Sequence, residues 1–208
     1  MEIIASQLPL FACLASLLAV IPILLFRKTP NLREAATIGA GALKLAIVLT
    51  MLPGILEGKV YEFTFFEAVK GVPLAFRVDS IGMLFALVAS SLWILTSFYA
   101  IGYMRGAKEA GQTRFFCFFA ISLSATLGVA FAANLFTLYV FYEMLSLATY
   151  PLVTHHQDKE ARSGGRTYLT YLLSTSIGFA LPAMLCCYFK SGESLTFTET
   201  SNWAAALS

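Results

Sequence analysis

The sequence predicts an all-α polytopic membrane protein, with six transmembrane helices and a short external β-hairpin between the second and third. Three observations lead there. Hydrophobic residues make up 58% of the 208 residues and charged residues only 12%, against about 45–50% and about 25% in soluble domains. The apolar residues gather into runs of about 20 or more, the length a helix needs to cross a bilayer core of about 30 Å. The charges sit almost entirely between those runs. This composition excludes a soluble globular domain and a disordered chain. A net charge of +2 is too mild for a nucleic-acid partner.

The spans follow in order. Ile3–Phe26 carries no charge, Ala35–Leu56 carries only Lys44, and Ser80–Met104 carries none. Phe115–Thr154 carries only Glu143. As one helix it would reach roughly 60 Å, twice the bilayer core. It is expected to fold back at Ala132-Ala133-Asn134. Thr167–Phe189 is again free of charge. The six spans are thus placed at residues 3–26, 35–56, 79–103, 114–132, 134–154 and 167–189. Between the second and third, Val60–Arg77 is rich in Phe, Val and Thr and is broken by Lys70-Gly71, the pattern of two short strands. Residues 1–78 read as a leader of two helices plus this hairpin, and residues 79–208 hold helices three to six.

Orientation comes from the basic residues of the short loops. Arg27, Lys28, Arg33, Arg105, Lys108, Arg114, Lys159, Arg162 and Arg166 fall on one side, and Lys59, Lys70, Arg77 and Lys190 on the other. The richer side is the cytoplasmic one, so both termini are expected outside the cytoplasm. No basic region precedes the first span, so a cleaved signal peptide is not expected. Helix association in lipid depends on close packing of small residues. Ala120, Ser124, Gly128 and Ala132 supply such a stripe on span four, and Gly82, Ala86 and Ser90 on span three. Prolines 9, 22, 53, 151 and 182 fall inside spans, where neighbouring helices satisfy the freed carbonyls.

Glu143 is the sharpest candidate for chemistry. It lies near mid-depth of span five, where a charge costs roughly 2.5–3.5 kcal/mol on insertion scales and normally faces protein. Tyr139, Glu143, Ser146, Tyr150 and Thr154 fall on one helical face, ending at His155-His156. A carboxylate beside a hydroxyl-lined track suits a proton relay, and the bland alternative is a carboxylate that pairs helices. Lys44 either pairs with an acid, hydrates a cavity or snorkels to an interface. Arg166 is a relay cation or a plain cytoplasmic anchor. His155 and His156 are a proton-uptake point or a solvated loop pair. Asp79 is placed to cap the third span. The four cysteines, Cys13, Cys117, Cys186 and Cys187, lie in apolar runs without zinc or haem spacing. No metal or cofactor is expected, and a membrane redox enzyme is disfavoured because no haem pair or iron–sulfur spacing is present.

Together the stretches GVPLAFRVDSIGMLF, SFYAIGYM, RFFCFFAISLSATLGVAFAANLFTLYVFYEMLSLATYPLVTHH and GRTYLTYLLSTSIGF resemble the antiporter-like membrane subunits. These are the proton-conducting subunits of respiratory complex I and the subunits of Mrp-type cation/proton antiporters. FYEMLSLATYPLV and GRTYLTYLLSTSIGF are most similar to the D-type branch of the Mrp antiporters. The resemblance implies a partial antiporter-like fold, covering the N-terminal part only. Glu143 falls at the family's glutamate on the fifth helix, and Asp79 at the acidic residue opening the third. Arg166 stands where many members carry lysine, and arginine does not readily give up a proton. Family members have about fourteen helices, built as two inverted repeats after the first three. The second repeat and the partner lysine of the broken seventh helix are not in these 208 residues. A fragment, a truncated product or half of a split subunit is expected.

The implied function is proton translocation within a multisubunit monovalent cation/proton antiporter or NADH-quinone oxidoreductase-like complex, with Glu143 as relay. The alternative is a non-conducting assembly module. Expected partners are other membrane subunits, protons, Na⁺ and the lipid bilayer, with no nucleic acid. The expected location is the bacterial cytoplasmic membrane.

Overall fold

Helices begin where a side chain replaces the missing intrahelical acceptor. Asp79 accepts a hydrogen bond from the Gly82 N–H at 2.7 Å, Asn134 from Thr137 at 2.8 Å, and Asp158 from Ala161 at 2.6 Å. These caps open three of the helices. The computed structural model describes residues 2–190 and 195–197. In chain order its elements are β1 (Ile3–Ala5), α1 (Leu8–Leu18), α2 (Val20–Leu25), α3 (Pro30–Leu56), β2 (Val60–Val69) and β3 (Val72–Val78). Then come α4 (Ser80–Gly106), α5 (Gln112–Ala130), α6 (Leu135–Val153), α7 (Lys159–Thr175), a π-helical turn (Ser176–Ala180) and α8 (Leu181–Lys190).

Among the described residues, six segments are long and apolar enough to cross a membrane: Leu8–Leu25, Pro30–Leu56, Ser80–Gly106, Gln112–Ala130, Leu135–Val153 and Lys159–Lys190. This is the predicted number of spans, and the fold-back falls at the predicted turn, residues 131–134. Three edges differ. Span one begins at Leu8, because Ile3–Ala5 pairs in parallel with Val60–Glu62. Span two begins at Pro30, whose fixed φ suits the first helical turn. Span six begins at Lys159, because Asp158 caps a polar first segment that hydropathy alone passes over. Residues 193–208, which follow the last span in sequence, lie outside the described residues except for 195–197.

The predicted hairpin is present. β2 and β3 pair antiparallel, with register shifts between Thr64 and Phe66 and between Glu67 and Val69. Gly71 takes φ +76° at the tip, a conformation open to glycine. The sheet order is β1-β2-β3, and the α5–α6 turn continues it. Arg77 N–H donates to Phe131 O at 2.7 Å, and Ala133 N–H to Ala75 O at 3.0 Å. Asn134, fully buried, donates its side-chain amide to Pro73 O at 2.7 Å. Thr137 Oγ1 accepts from the Ala75 N–H at 3.0 Å. On the far side of the turn, Leu135 N–H donates to Leu195 O at 3.0 Å.

The sheet therefore closes one end of the bundle. Tyr61, Phe76 and Val78 drop from it into a core with Cys13, Met51, Ile55, Met83, Leu127 and Phe131. A second core, around Ile23, Trp93, Phe116 and Ala120, lies toward the other end, the end that carries the richer set of basic residues. Both small-residue stripes work as close contacts. A Cβ on Gly128 would overlap the Phe141 ring of α6, and one on Gly82 would come within 3.0 Å of Ala130 O. The bundle is uneven: between 28% and 44% of each of the first four spans is buried, against 17% and 6% in the last two. The first four spans form the framework, and spans five and six lie along its edge.

Gly128→Val overpacks the α5–α6 contact. It is expected to destabilise the chain by about 1–3 kcal/mol, read as a lower midpoint of thermal unfolding in detergent. Adding Phe141→Ala to the same chain should recover part of the loss.

Candidate functional site

Glu143 is the ninth residue of the nineteen-residue α6, at the middle of the helix. It is half-buried. Its Oε1 accepts a hydrogen bond from the hydroxyl of Ser176. Ser176 is itself buried, and it opens the π-helical turn of the last span. A π turn widens the helix and frees a carbonyl from the regular ladder, an arrangement frequent at functional sites. Ser176 is not among the residues that the sequence singles out. The available signal was a serine pair, Ser174 and Ser176, at mid-span in an otherwise apolar segment.

Two further contacts hold α6 against α7. Thr149 Oγ1 and Tyr168 OH lie 2.8 Å apart. Toward the basic end, Gly165 packs so tightly on Thr154 and Tyr150 that a Cβ would overlap Thr154. The helices therefore meet at three levels, with Glu143–Ser176 the innermost. The polar stripe on α6 exists as a face, but its hydroxyls do not form a chain. Ser146 donates to Tyr142 O at 3.0 Å and Thr154 to Tyr150 O at 2.9 Å, both on their own helix.

His155 and His156 lie at the basic end, where α6 runs into the next loop. The Glu109 carboxylate stands between them, its Oε2 3.9 Å from His155 Nε2 and 3.8 Å from His156 Nδ1. The His156 side chain is 66% exposed and that of His155 only 11%. Arg114 donates to His155 O at 2.5 Å, and the Phe115 ring meets the His155 ring edge-on. Burial, then the Arg114 guanidinium and the neighbouring His156, push the His155 imidazole below its ordinary value of 6.5. Glu109 and the Ala110 backbone pull the other way and do not restore it. The pair joins the α4–α5 loop to the α6–α7 loop.

Lys44 is fully buried on α3. Its Nζ donates to Leu123 O of α5 at 3.2 Å and lies 4.9 Å from the centre of the Trp93 ring of α4. Snorkelling to an interface is therefore ruled out, and among the described residues Lys44 forms no ion pair. Arg166 is exposed on α7, in a shallow groove with Lys159, Arg162, Ser163 and Thr167. It stands ten residues before Ser176, roughly 15 Å along a helix, so it is not Glu143's neighbour. The structure thus brings Glu143 to Ser176 and His155 to His156, and keeps Lys44 and Arg166 apart from both pairs.

One ionic cluster has no counterpart among the sequence candidates. Glu34, buried in the first turns of α3, accepts from Arg105 Nε at 2.9 Å and from Nη2 at 2.5 Å. Arg33 donates to Gln112 Oε1 at 2.7 Å and to Thr113 Oγ1 at 3.2 Å. In the sequence Arg33 and Arg105 count only as loop charges; with Glu34, Gln112 and Thr113 they tie the basic ends of α3, α4 and α5 together.

The fold and site define a bundle of membrane-length helices with a carboxylate at the middle of the fifth, and comparison with known proteins finds proteins similar to it. A family model described as NADH-Ubiquinone oxidoreductase (complex I), chain 5 N-terminus, matches residues 68–116. The "Putative antiporter subunit mnhA2" of Staphylococcus haemolyticus is 27% identical over 135 residues, covering 64% of this chain and 16% of that protein. The "Na(+)/H(+) antiporter subunit A1" of Staphylococcus aureus is 30% identical over 91 residues, 44% of this chain and 11% of that one. A chain of the membrane-bound sulfane sulfur reductase, an archaeal respiratory membrane complex, shares the fold with a TM-score of 0.74 at 22% identity, over 89% of this chain and 28% of its own. The chain is similar to antiporter subunits in sequence and to a chain of a respiratory membrane complex in fold. Its curated relatives here are A-type, which corrects the expected D-type branch. It spans about one sixth or less of their length.

The depressed imidazole of His155 has a stability consequence. Over a window below 6.5 the unfolded chain holds a proton there that the folded chain does not. Stability is therefore lost as pH falls through that window. His155→Phe, which keeps the contact with Phe115, is expected to flatten the acid-side fall in thermal midpoint. An unchanged acid slope in that variant would show that another group is responsible.

Proposed function

We propose that the chain is a proton-translocating part of a membrane subunit in a multisubunit monovalent cation/proton antiporter or a complex I-like assembly. One observation carries this reading: the Glu143 carboxylate at mid-depth of span five, bonded to Ser176 at the π turn of span six. A charge at that depth is costly unless it works. The hydroxyl of Ser176 can donate to the ionised carboxylate and can turn to accept from the protonated one, so the pair can hold both states.

In this reading the basic end faces the cytoplasm of a bacterial cell, by the asymmetry of Lys and Arg. The sheet end and both termini then lie outside. His155 and His156 gather protons beside Glu109, and Glu143 lies twelve residues further in, roughly 18 Å along the helix. The hydroxyls of Ser146 and Thr154 are bonded to their own helix, so water is required to complete the path. The relatives' names support exchange of Na⁺ against H⁺. Spans five and six bury little of themselves, leaving room for neighbouring membrane subunits beside Glu143.

A second reading is a non-conducting assembly module. It is favoured by the exposed aromatic face of the last span, where Tyr171, Phe179 and Phe189 are each more than 70% exposed.

Glu143→Gln separates the two readings. In the assembled complex it should cut Na⁺/H⁺ exchange about a hundredfold or more, the usual scale for loss of a proton-transfer group, while assembly by co-purification is unchanged. Full exchange in the variant would leave the assembly reading standing.

A further inference from the structure

We propose that Lys44 is the amine of a second, water-filled proton-binding site, set between spans one to four and separate from Glu143.

The site is built by four helices. Lys44 comes from α3, Trp93 from α4 and the Leu123 carbonyl from α5. From α1 comes Cys13, the one titratable side chain that faces the amine. Its backbone carbonyl accepts from Ser124 at 2.8 Å. Among the described residues, no carboxylate and no second cation faces the amine. Lysine in its ammonium form carries three N–H donors and no acceptor. One donor reaches Leu123 O, and the cation also meets the Trp93 ring face. Further hydrogen-bonding capacity is left over.

The surroundings carry a matching surplus. Ser90 and Ser97 lie one turn either side of Trp93 on α4, and Ser16 lies one turn along α1 from Cys13. All three are fully buried, and none of their hydroxyls makes a hydrogen bond to another protein group. The same holds for the indole N–H of Trp93 itself. Buried polar groups in native proteins are satisfied, and where protein offers no partner, internal water does so. The three hydroxyls stand one helical turn from Trp93 and Cys13, the residues that flank the amine, and in this proposal the four unfilled groups line a polar pocket with it. In the pocket the ammonium passes a proton from Nζ to a water held by the hydroxyls, and the free amine takes one back. No bond other than N–H and O–H changes.

Trp93 lies close enough to report the charge above it. The test replaces Trp203, the only other tryptophan, with Phe and reads Trp93 emission against pH, with the full chain in lipid nanodiscs. The expected result is a reversible shift of the emission maximum as pH rises from neutral into the alkaline range. Lys44→Arg, which keeps a permanent cation over the ring, should fold normally and lose the shift. Glu143→Gln should keep it, so this test stands apart from the fate of the Glu143 reading. Emission flat with pH in the parent chain, or a shift that persists unchanged in Lys44→Arg, would overturn the proposal.

Discussion

A bilayer core offers no water to a stray N–H, carbonyl or charge, so every such group needs a partner within the protein. That constraint shapes the molecule more than any single contact. It explains why the α5–α6 turn is sewn into the sheet. The buried Asn134 caps α6 with its side-chain oxygen and binds Pro73 O with its amide. It also explains why Glu34 lies between two arginines at the opposite end, where three helices finish together. Neither device adds much burial. Each closes an end of the bundle that would otherwise leave backbone or charge unpaired.

The same constraint divides the structure into a firm part and a looser one. Spans one to four share two cores, and Gly82 of span three lies so near span four that a Cβ there would come within 3.0 Å of Ala130 O. Spans five and six bury far less and touch each other through a few polar contacts. Low contact density is where local motion is cheapest. The pair carrying Glu143 and Ser176 lies in this looser part, anchored near its basic end by Gly165 against Tyr150 and Thr154. A carboxylate that changes protonation state needs such freedom, and a hydroxyl at a π turn supplies it with little rearrangement of the framework.

Much of this was legible in the sequence, and the rest was hidden for identifiable reasons. Hydropathy located all six spans because about 20 apolar residues in a row have few other uses. Phe, Val and Thr around Lys70-Gly71 announced the hairpin. The strand Ile3–Ala5 was absorbed into span one, since three apolar residues beside a helix carry no period of their own. Glu143 stood out because it was alone in an apolar run. Its partner did not, since Ser176 is a small polar residue of a kind common in membrane helices. The Glu34–Arg105 contact joins residues 71 positions apart, which no local pattern reports. Lys44 was visible as a charge, but its setting depended on which helices surround it. The likeness to A-type subunits came from the comparisons and not from the motifs, which pointed to the D-type branch.

The central claim is that Glu143 binds and releases a proton within the membrane, against the hydroxyl of Ser176. Infrared difference spectroscopy of the lipid-reconstituted chain, with the carboxyl groups of glutamate isotope-labelled, observes that proton directly. A protonated-carboxyl band should appear and disappear reversibly with pH. That band should be missing in Glu143→Gln and displaced in frequency in Ser176→Ala. A glutamate spectrum in which Glu143→Gln removes no pH-dependent band would contradict it.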